Sequence, residues 1–274
     1  MTCIGGDIEI GWINQAGEEY ADFVHLYSHE QIADTSIMSF YKGSGTNVIA
    51  STTGNDGGCF QLRGYDETIG ALSSEGVDGV VRNSAGGSSH SLLTLKPPAG
   101  ETYSFAGVIE DGGGASLMLA MNGSGTQALA GPNTYSGGTT NLGGTLLVRN
   151  TAGSGTGSGP VHIGTGGAIG GSGTISDNVT VDGAIAAVIE SDSVNETLTV
   201  NGASGVTLNS ADITLRLADG YDPQPTQEWQ LLDSPNGISG TIGTLPDGYA
   251  CELRNGDTEL WLLRIPQGSL FMVL

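Results

Sequence analysis

The sequence predicts an all-β fold, a right-handed parallel β-helix (β-solenoid) with capped ends whose C-terminal part is partly antiparallel. Two observations predict the β class: the 274 residues include 47 glycines, and only 14% of the residues are charged. Glycine accepts positive φ at tight corners, and the abundant Thr and Val favour pleated, half-buried backbone. A third observation, short apolar–x–apolar segments that recur at a nearly constant spacing, predicts the solenoid.

Three of these segments begin at Val161, Val179 and Leu198, and each is followed by a glycine. Their spacings are 179 − 161 = 18 and 198 − 179 = 19 residues. Such a period is too long for hairpins with two-residue turns and too short for βαβ units. It fits one coil of a solenoid, in which inward side chains stack on their counterparts in the next coil.

Larger coils are predicted upstream, because Leu93 and Leu119 are 26 residues apart and Leu119 and Leu146 are 27 apart. The apolar run "TLLV" at Thr145–Val148 is predicted to be one inward strand of the stack.

The chain divides into three predicted parts. Residues 1–70 are rich in aromatic residues and are expected to form an N-terminal cap with irregular first coils. Residues 71–204 form the β-solenoid, and residues 205–274 form the last coils and a C-terminal β cap. Within residues 15–34 the apolar residues have helical spacing, but the run from Val24 to Tyr27 fits a strand equally well, so both alternatives stay open.

The C-terminal part has longer alternating segments separated by turn signals. Asn255–Gly256 lies between two of them and predicts a hairpin. We expect Trp229 and Trp261 to cover the end of the core. The cysteines, Cys3, Cys59 and Cys251, lack metal-ligand spacing and are expected to be small buried hydrophobic residues, with a Cys3–Cys59 bridge as the open alternative.

One stretch has a more specific pattern. The residues are "NTYSGGTT" at 133–140, "GTLLV" at 144–148, "GSGTGSG" at 153–159 and "GGSGTI" at 170–175. Together they closely resemble the autotransporter-associated β-strand repeat of bacterial surface and secreted proteins, with the complete repeat at 131–175. The chain departs from that repeat at Met121, Pro132 and Leu142.

The resemblance implies an exported β-solenoid of the passenger type, located outside the cell or on the bacterial cell surface. The first residues, "MTCIGGDIEI", lack both the basic region and the apolar core of a signal peptide, so we expect the chain to be a fragment or a mature segment. The resemblance covers about residues 103–188.

Charge excludes several classes of partner. The chain has 29 acidic and 8 basic residues and a formal net charge of −21, which repels nucleic acids and anionic lipid headgroups. No stretch approaches the roughly 18 apolar residues that a membrane span needs. We therefore expect neither a nucleic-acid partner nor a membrane span.

No catalytic, cofactor-binding or metal-binding residue is predicted. The glycine strings "SGTGSG" and "GGSGTI" lack the helix and the Lys of a phosphate-binding loop, so structural corners are favoured. His25 and His29, with Glu30 adjacent, have metal-ligand spacing on a helix but no identifiable third ligand, and a surface pair is favoured. His90 stands alone, and His162 is expected to point outward because it alternates with apolar neighbours.

Carboxylates could serve as catalytic groups or as calcium ligands. Glu18–Glu19, Asp66–Glu67 and Glu110–Asp111 are sequence neighbours, and neighbours on a strand point to opposite faces, which disfavours acid–base pairs. Calcium is the one cofactor left open, through turn residues that offer hard oxygen ligands, namely Asp111, Asp177, Asp182 and Asp192.

These observations favour a non-enzymatic extracellular structure, a stalk or an adhesin-like passenger segment. Its Thr, Ser and Asn side chains would offer hydrogen bonds to glycans or to a host or neighbouring cell surface. Two alternatives remain: a filament subunit that self-associates through the solenoid ends, and a polysaccharide-active enzyme whose site forms from several coils.

Overall fold

The fold is all-β and mostly parallel. The computed structural model describes residues 8–11, 23–41, 58–76, 79–84, 89–113 and 115–266. These residues form strands, turns and bends and no helix, so none of them belongs to a helix that could cross a bilayer. Strand pairing among these residues forms four sheets of 3, 4, 11 and 5 strands. We describe them as three arrays, two of which consist of two sections that do not pair with each other.

The first array is parallel throughout. In pairing order its members are β5 (Glu67–Ile69), β8 (Ser91–Leu95), the first part of β11 (Leu117–Leu129), the first part of β12 (Thr139–Val148), β13 (Val161–Ile163), β16 (Val179–Val181), the first part of β19 (Val206–Leu217) and β21 (Ile238–Ile242). Three of its strands, β11, β12 and β19, continue into the second array.

The second array is also parallel and has two sections. The first section contains β1 (Ile8–Gly11), β3 (Ile37–Tyr41) and β6 (Ala71–Ser74). The second section contains β9 (Thr102–Phe105), the second part of β11, the second part of β12, β14 (Gly167–Gly171), β17 (Ala184–Ile189) and the second part of β19.

The third array is parallel until its C-terminal end. Its first section contains β2 (Phe23–His25), β4 (Cys59–Gln61), β7 (Val80–Arg82) and β10 (Val108–Glu110). Its second section contains β15 (Thr174–Ile175), β18 (Leu198–Val200), β20 (Glu228–Asp233), β23 (Glu259–Arg264) and β22 (Tyr249–Arg254). The last three strands pair antiparallel, as predicted for the C-terminal part.

The predicted registers are partly right. Val161 pairs with Val179 and Leu93 pairs with Leu119, as their spacings predict. The 19-residue step is wrong, because Val179 pairs with Val206. Leu198 belongs to the third array and pairs there with Leu232.

The step from Leu119 to Leu146 is also wrong. Leu119 pairs with Thr139 in the first array, while Leu146 pairs with Gln127 in the second. The predicted inward strand 145–148 needs one correction, because adjacent strand residues point to opposite faces. Leu146 and Val148 join the main core, whereas Leu147 is buried in a separate cluster with Ala128 and Val188.

Four buried asparagines, three of them between strands and one within β12, hydrogen-bond to backbone groups of nearby segments. Asn133 accepts from the N–H of Ile109 (2.8 Å) and donates to the carbonyl of Gly155 (2.6 Å). Asn150 likewise accepts from the N–H of Thr174 at 2.9 Å. The other two are Asn83 and Asn141. A buried backbone group without a partner is costly, so these side chains permit sharp corners inside the molecule.

At the N-terminal side, the strand alternative holds for the part of residues 15–34 that the structure describes. Residues 23–25 form β2, and bends follow at 27–30. Residues 15–22 lie outside the described residues. The strands on either side of the 70/71 and 204/205 boundaries pair with one another, and the division into three parts stays a prediction.

The C-terminal strands agree with the sequence. β22 and β23 form the hairpin predicted at Asn255–Gly256. Trp229 is buried in the core, and Trp261 is half-buried beneath the guanidinium of Arg254, 4.7 Å from the ring centroid.

The two described cysteines are free thiols, Cys59 buried and Cys251 half-buried. Cys3, the other half of the bridge left open by the sequence, lies outside the described residues, so the bridge stays a prediction. Burial raises the pKa of both thiols, that of Cys251 to about 12.

Candidate functional site

A continuous row of outward side chains crosses the first array. Each member lies directly opposite the next in the strand register, without a slip. We call it the threonine row, and its eight members are Thr68, Thr94, Ala120, Thr140, His162, Thr180, Thr207 and Ser239.

The row points outward because its members alternate with buried residues. His162 is exposed, while its neighbours Val161 and Ile163 are 2% and 0% exposed. Thr180 is half-exposed between the buried Val179 and Val181 in the same way. The outward orientation predicted for His162 is thus confirmed, and the same alternation fixes the whole row.

Several hydroxyls of the row are available to an external partner. Within the described part of the chain, no side-chain hydrogen bond engages the hydroxyls of Thr94, Thr140, Thr180 or Thr207. Thr68 differs, because its hydroxyl donates to Glu30 Oε1 at 3.2 Å. The free hydroxyls are each a donor and an acceptor, so they can meet either kind of group on a ligand.

A hydrogen-bonded trio lies beside the row. His162 Nε2 is 2.8 Å from Asp182 Oδ2, and Asn209 Nδ2 donates to Asp182 Oδ1 at 2.6 Å. These bonds, the one from Asn209 first, hold the pKa of the Asp182 carboxyl below its usual value. The trio links three consecutive strands of the array and fixes the position of the His162 ring.

A shallow depression of about 290 Å³ lies along the row between Thr140 and Thr180. Its lining residues come from β12, β13, β16 and the turns that precede them, and they are Gly137, Gly138, Thr139, Thr140, Pro160, Val161, His162 and Thr180. Gly138 has φ +84°, and a Cβ there would crowd the carbonyl oxygen of Pro160 at 2.8 Å. Because glycine has no Cβ, a ligand can approach the backbone at the bottom of this depression.

Two exposed apolar side chains flank the same part of the row. Met118 and Leu142 are 36% and 49% exposed. Met118 lies against Gly137, and Leu142 lies against Gly164. Met118 lies two residues before Ala120 on β11, and Leu142 lies two residues after Thr140 on β12. Ala120 is the one member of the row without a polar side-chain atom.

No protein-family model and no curated protein matches the chain. Function is therefore inferred from the chain's own residues. The threonine row was missed at the sequence level, although a signal exists: threonine recurs at the middle of apolar–x–apolar segments, as in Leu93–Leu95, Val179–Val181 and Val206–Leu208.

The predicted histidine candidates occupy separate environments. No helix joins His25, in β2, to His29, in the following bend. His29 Nδ1 accepts a hydrogen bond from the backbone N–H of Asp66 at 2.9 Å. His90 Nδ1 lies 2.6 Å from Ser116 Oγ. The described residues contain no group of three or more His, Cys, Asp or Glu side chains placed to hold a metal ion.

The paired carboxylates are engaged separately. Glu110 forms an ion pair with Arg82 at 3.1 Å, while its neighbour Asp111 accepts from the N–H groups of Leu117 and Ser136. Buried Glu67 accepts from backbone N–H groups, and burial raises its pKa. Glu18–Glu19 lies outside the described residues.

The calcium candidates also have different partners. Asp177 accepts from the N–H of Asn178, Asp182 belongs to the trio, and Asp192 accepts from the hydroxyl of Tyr221 at 2.7 Å. Asp111 caps backbone at the turn before β11.

The glycine strings form corners and a buried strand. Gly153 and Gly157 have φ of +64° and +71°, and a Cβ at Gly157 would overlap the carbonyl oxygen of Tyr135. The second string overlaps the fully buried strand β14 and continues into β15. Strands surround both strings, and no helix N-terminus faces them within the described chain.

Proposed function

We propose that the chain is a β-solenoid segment of an exported bacterial protein and acts as a non-enzymatic, adhesin-like surface structure. In this proposal the three arrays are the three faces of one right-handed coil stack. The order in which the chain passes through the arrays supports this proposal. Strands β8, β9 and β10 lie in the first, second and third arrays in turn, and β11 then returns to the first. Parallel crossovers are almost always right-handed.

The proposed kinship with autotransporter-associated repeats draws on what the motif residues do. Asn133 bonds neighbouring strands through its buried carboxamide, and buried Tyr135 lies 2.6 Å from Thr139 through its hydroxyl. Gly155 and Gly157 lie where a Cβ would collide with Val148 and Tyr135. Each residue type thus serves the geometry of one coil, which is what a repeat motif of such a family would specify.

The threonine row is the single observation that carries the adhesive function. It places polar side chains on seven of eight consecutive strands, and none of its eight members is a carboxylate. The carboxylates nearest to arginines form ion pairs instead, for example Glu110 with Arg82, Glu196 with Arg149 and Glu228 with Arg254. A row of hydroxyls can hold a partner by many weak bonds and performs no chemistry on it.

The filament alternative receives less support. End-to-end stacking needs an open strand edge, and charged side chains blunt such edges. The last strand of the second array, β19, carries Asp212 and Arg216 exposed on its outer face. We therefore propose that the edge formed by β19 does not pair with a second copy of the chain.

The experiment uses beads coated with the purified full chain and, as control, beads coated with an unrelated protein of similar net charge. We expect coated beads to attach to bacterial or epithelial cells above the control level. In parallel, incubation with a panel of polysaccharides should release no reducing ends. Attachment at the control level on every surface would overturn the adhesive function, and reducing-end release would overturn its non-enzymatic character.

A further inference from the structure

We propose that the threonine row binds an uncharged, extended, β-linked glycan that lies across the strands and is centred on the depression beside His162. This inference rests on the proposed adhesive function and names its ligand and its binding surface. Repeat length, apolar contact and charge each support it.

The spacing of side chains along the row matches the spacing of sugar residues along such a glycan. Neighbouring strands lie about 4.8 Å apart, so the row offers one side chain per step of that size. This step is close to the length of one pyranose residue in an extended β-linked chain. A glycan running along the row would therefore meet one row position per sugar, and eight positions span about 34 Å, or roughly seven sugars.

Two exposed apolar side chains beside the row supply the contact that hydroxyls alone lack. Sugar rings have apolar C–H faces as well as polar edges, and binding sites combine apolar surface with a few placed polar groups. Met118, two residues before Ala120 on β11, and Leu142, two residues after Thr140 on β12, provide exposed apolar surface beside the row. Ala120 leaves room for a ring beside them, while Thr140 and the fixed ring of His162 face the polar edge of the next sugar.

Charge selects among glycans. The chain has a formal net charge of −21. Asp182 beside His162 and Glu30 beside Thr68 place carboxylates next to the row. An acidic polysaccharide would be repelled at both places, whereas an uncharged glycan forms only hydrogen bonds and apolar contacts there.

The test is isothermal titration of the full chain with cellohexaose, chitohexaose and the anionic hyaluronan hexasaccharide. We expect at least one uncharged hexasaccharide to bind, and to bind more tightly than its own disaccharide or the anionic oligomer. The double variant Thr140→Val, Thr180→Val keeps shape and β propensity but removes two hydroxyls. It should bind roughly thirtyfold more weakly, since two hydrogen bonds of about 1 kcal/mol each are lost and about 1.4 kcal/mol corresponds to a tenfold change.

The matched control is Thr102→Val, Thr126→Val, which removes two outward hydroxyls from the second array and should bind like the unmodified protein. Circular dichroism checks that both variants fold. Absence of binding by both uncharged hexasaccharides, equal binding by the anionic oligomer, or unchanged binding by the Thr140/Thr180 variant would each overturn the inference. Bead attachment that persists in that variant would overturn the glycan site alone, whereas glycan binding without bead attachment would overturn the adhesive function alone.

Discussion

Asn133 and Gly155 are joined by a 2.6 Å hydrogen bond from the side-chain amide of the first to the carbonyl of the second. The carbonyl oxygen of the same side chain accepts from Ile109, so one buried carboxamide links segments on both sides of it. A corner inside a β structure leaves backbone groups that no strand partner can satisfy. Asn133 replaces that missing partner.

Replacing Asn133 by Ala should therefore destabilise the fold strongly. It leaves the N–H of Ile109 and the carbonyl of Gly155 buried without their partner, at a cost of about 1–3 kcal/mol each. Urea denaturation followed by fluorescence measures the loss. The exposed Asn201→Ala change is the control and should stay within about 0.5 kcal/mol. Equal midpoints for the two variants would contradict the role of Asn133.

Substitutions at two glycines allow the cost of backbone strain to be measured separately from the cost of steric overlap. Gly157 and Gly220 have similar φ values, +71° and +76°, but only a Cβ at Gly157 would overlap a neighbouring atom, the carbonyl oxygen of Tyr135. Gly220→Ala should cost about 1–2 kcal/mol through its conformation alone. Gly157→Ala should cost clearly more, read as the difference between the two thermal midpoints. A Gly157 variant as stable as the Gly220 variant would show that the backbone around Gly157 shifts to accommodate the added Cβ, and would contradict the prediction.

Glu67 should make stability fall as pH rises above the normal pKa of a glutamate. Burial raises its pKa in the folded state, so the folded protein binds this proton more tightly than the unfolded chain does. The contribution is complete below the unfolded pKa and is lost as pH rises through the folded pKa. Glu67→Gln removes the titration, so the stability of the variant relative to the parent should increase from pH 4 to pH 7. Denaturation midpoints that differ by a constant amount across this range would refute the assignment.

Asn209 should control the acidity of Asp182. Its hydrogen bond is the largest cause of the lowered pKa, ahead of that from His162. Asn209→Ala should therefore raise the pKa of Asp182, and His162→Ala, which removes the second hydrogen bond, should raise it as well. Carboxyl carbon chemical shifts followed by NMR during a pH titration measure both. The Asn122→Ala change, at an exposed asparagine outside the trio, should leave the titration unchanged.

Alternation predicted which residues point inward, but it could not predict which strands pair. Val161 and Val179 pair as expected because the chain between them makes a single short circuit. Leu198 has the same local pattern as Val179, yet it lies in the third array. Alternation of apolar residues identifies a strand, but it does not show which array the strand joins, because all three arrays bury the same residue types.

The candidate site was harder to predict for a related reason. His162 could be assigned to the outer surface from its two apolar neighbours. The threonine row, however, exists only after the registers of seven strand pairs are known, and chain separations within it range from 18 residues at Val161–Val179 to 32 at Val206–Ile238. Turn lengths absorb that variation, and they follow no period in the sequence.

The first array also has a mechanical consequence. Each of its strands is bonded to segments that precede and follow it by a few tens of residues, so no long-range pairing in the array ties distant parts of the chain together. A pulling force on one end would peel away one strand at a time. Each event would release about 18 to 32 residues, or roughly 60–110 Å of contour length. The molecule would lengthen in steps under load, and a tether on a surface would dissipate force in the same way.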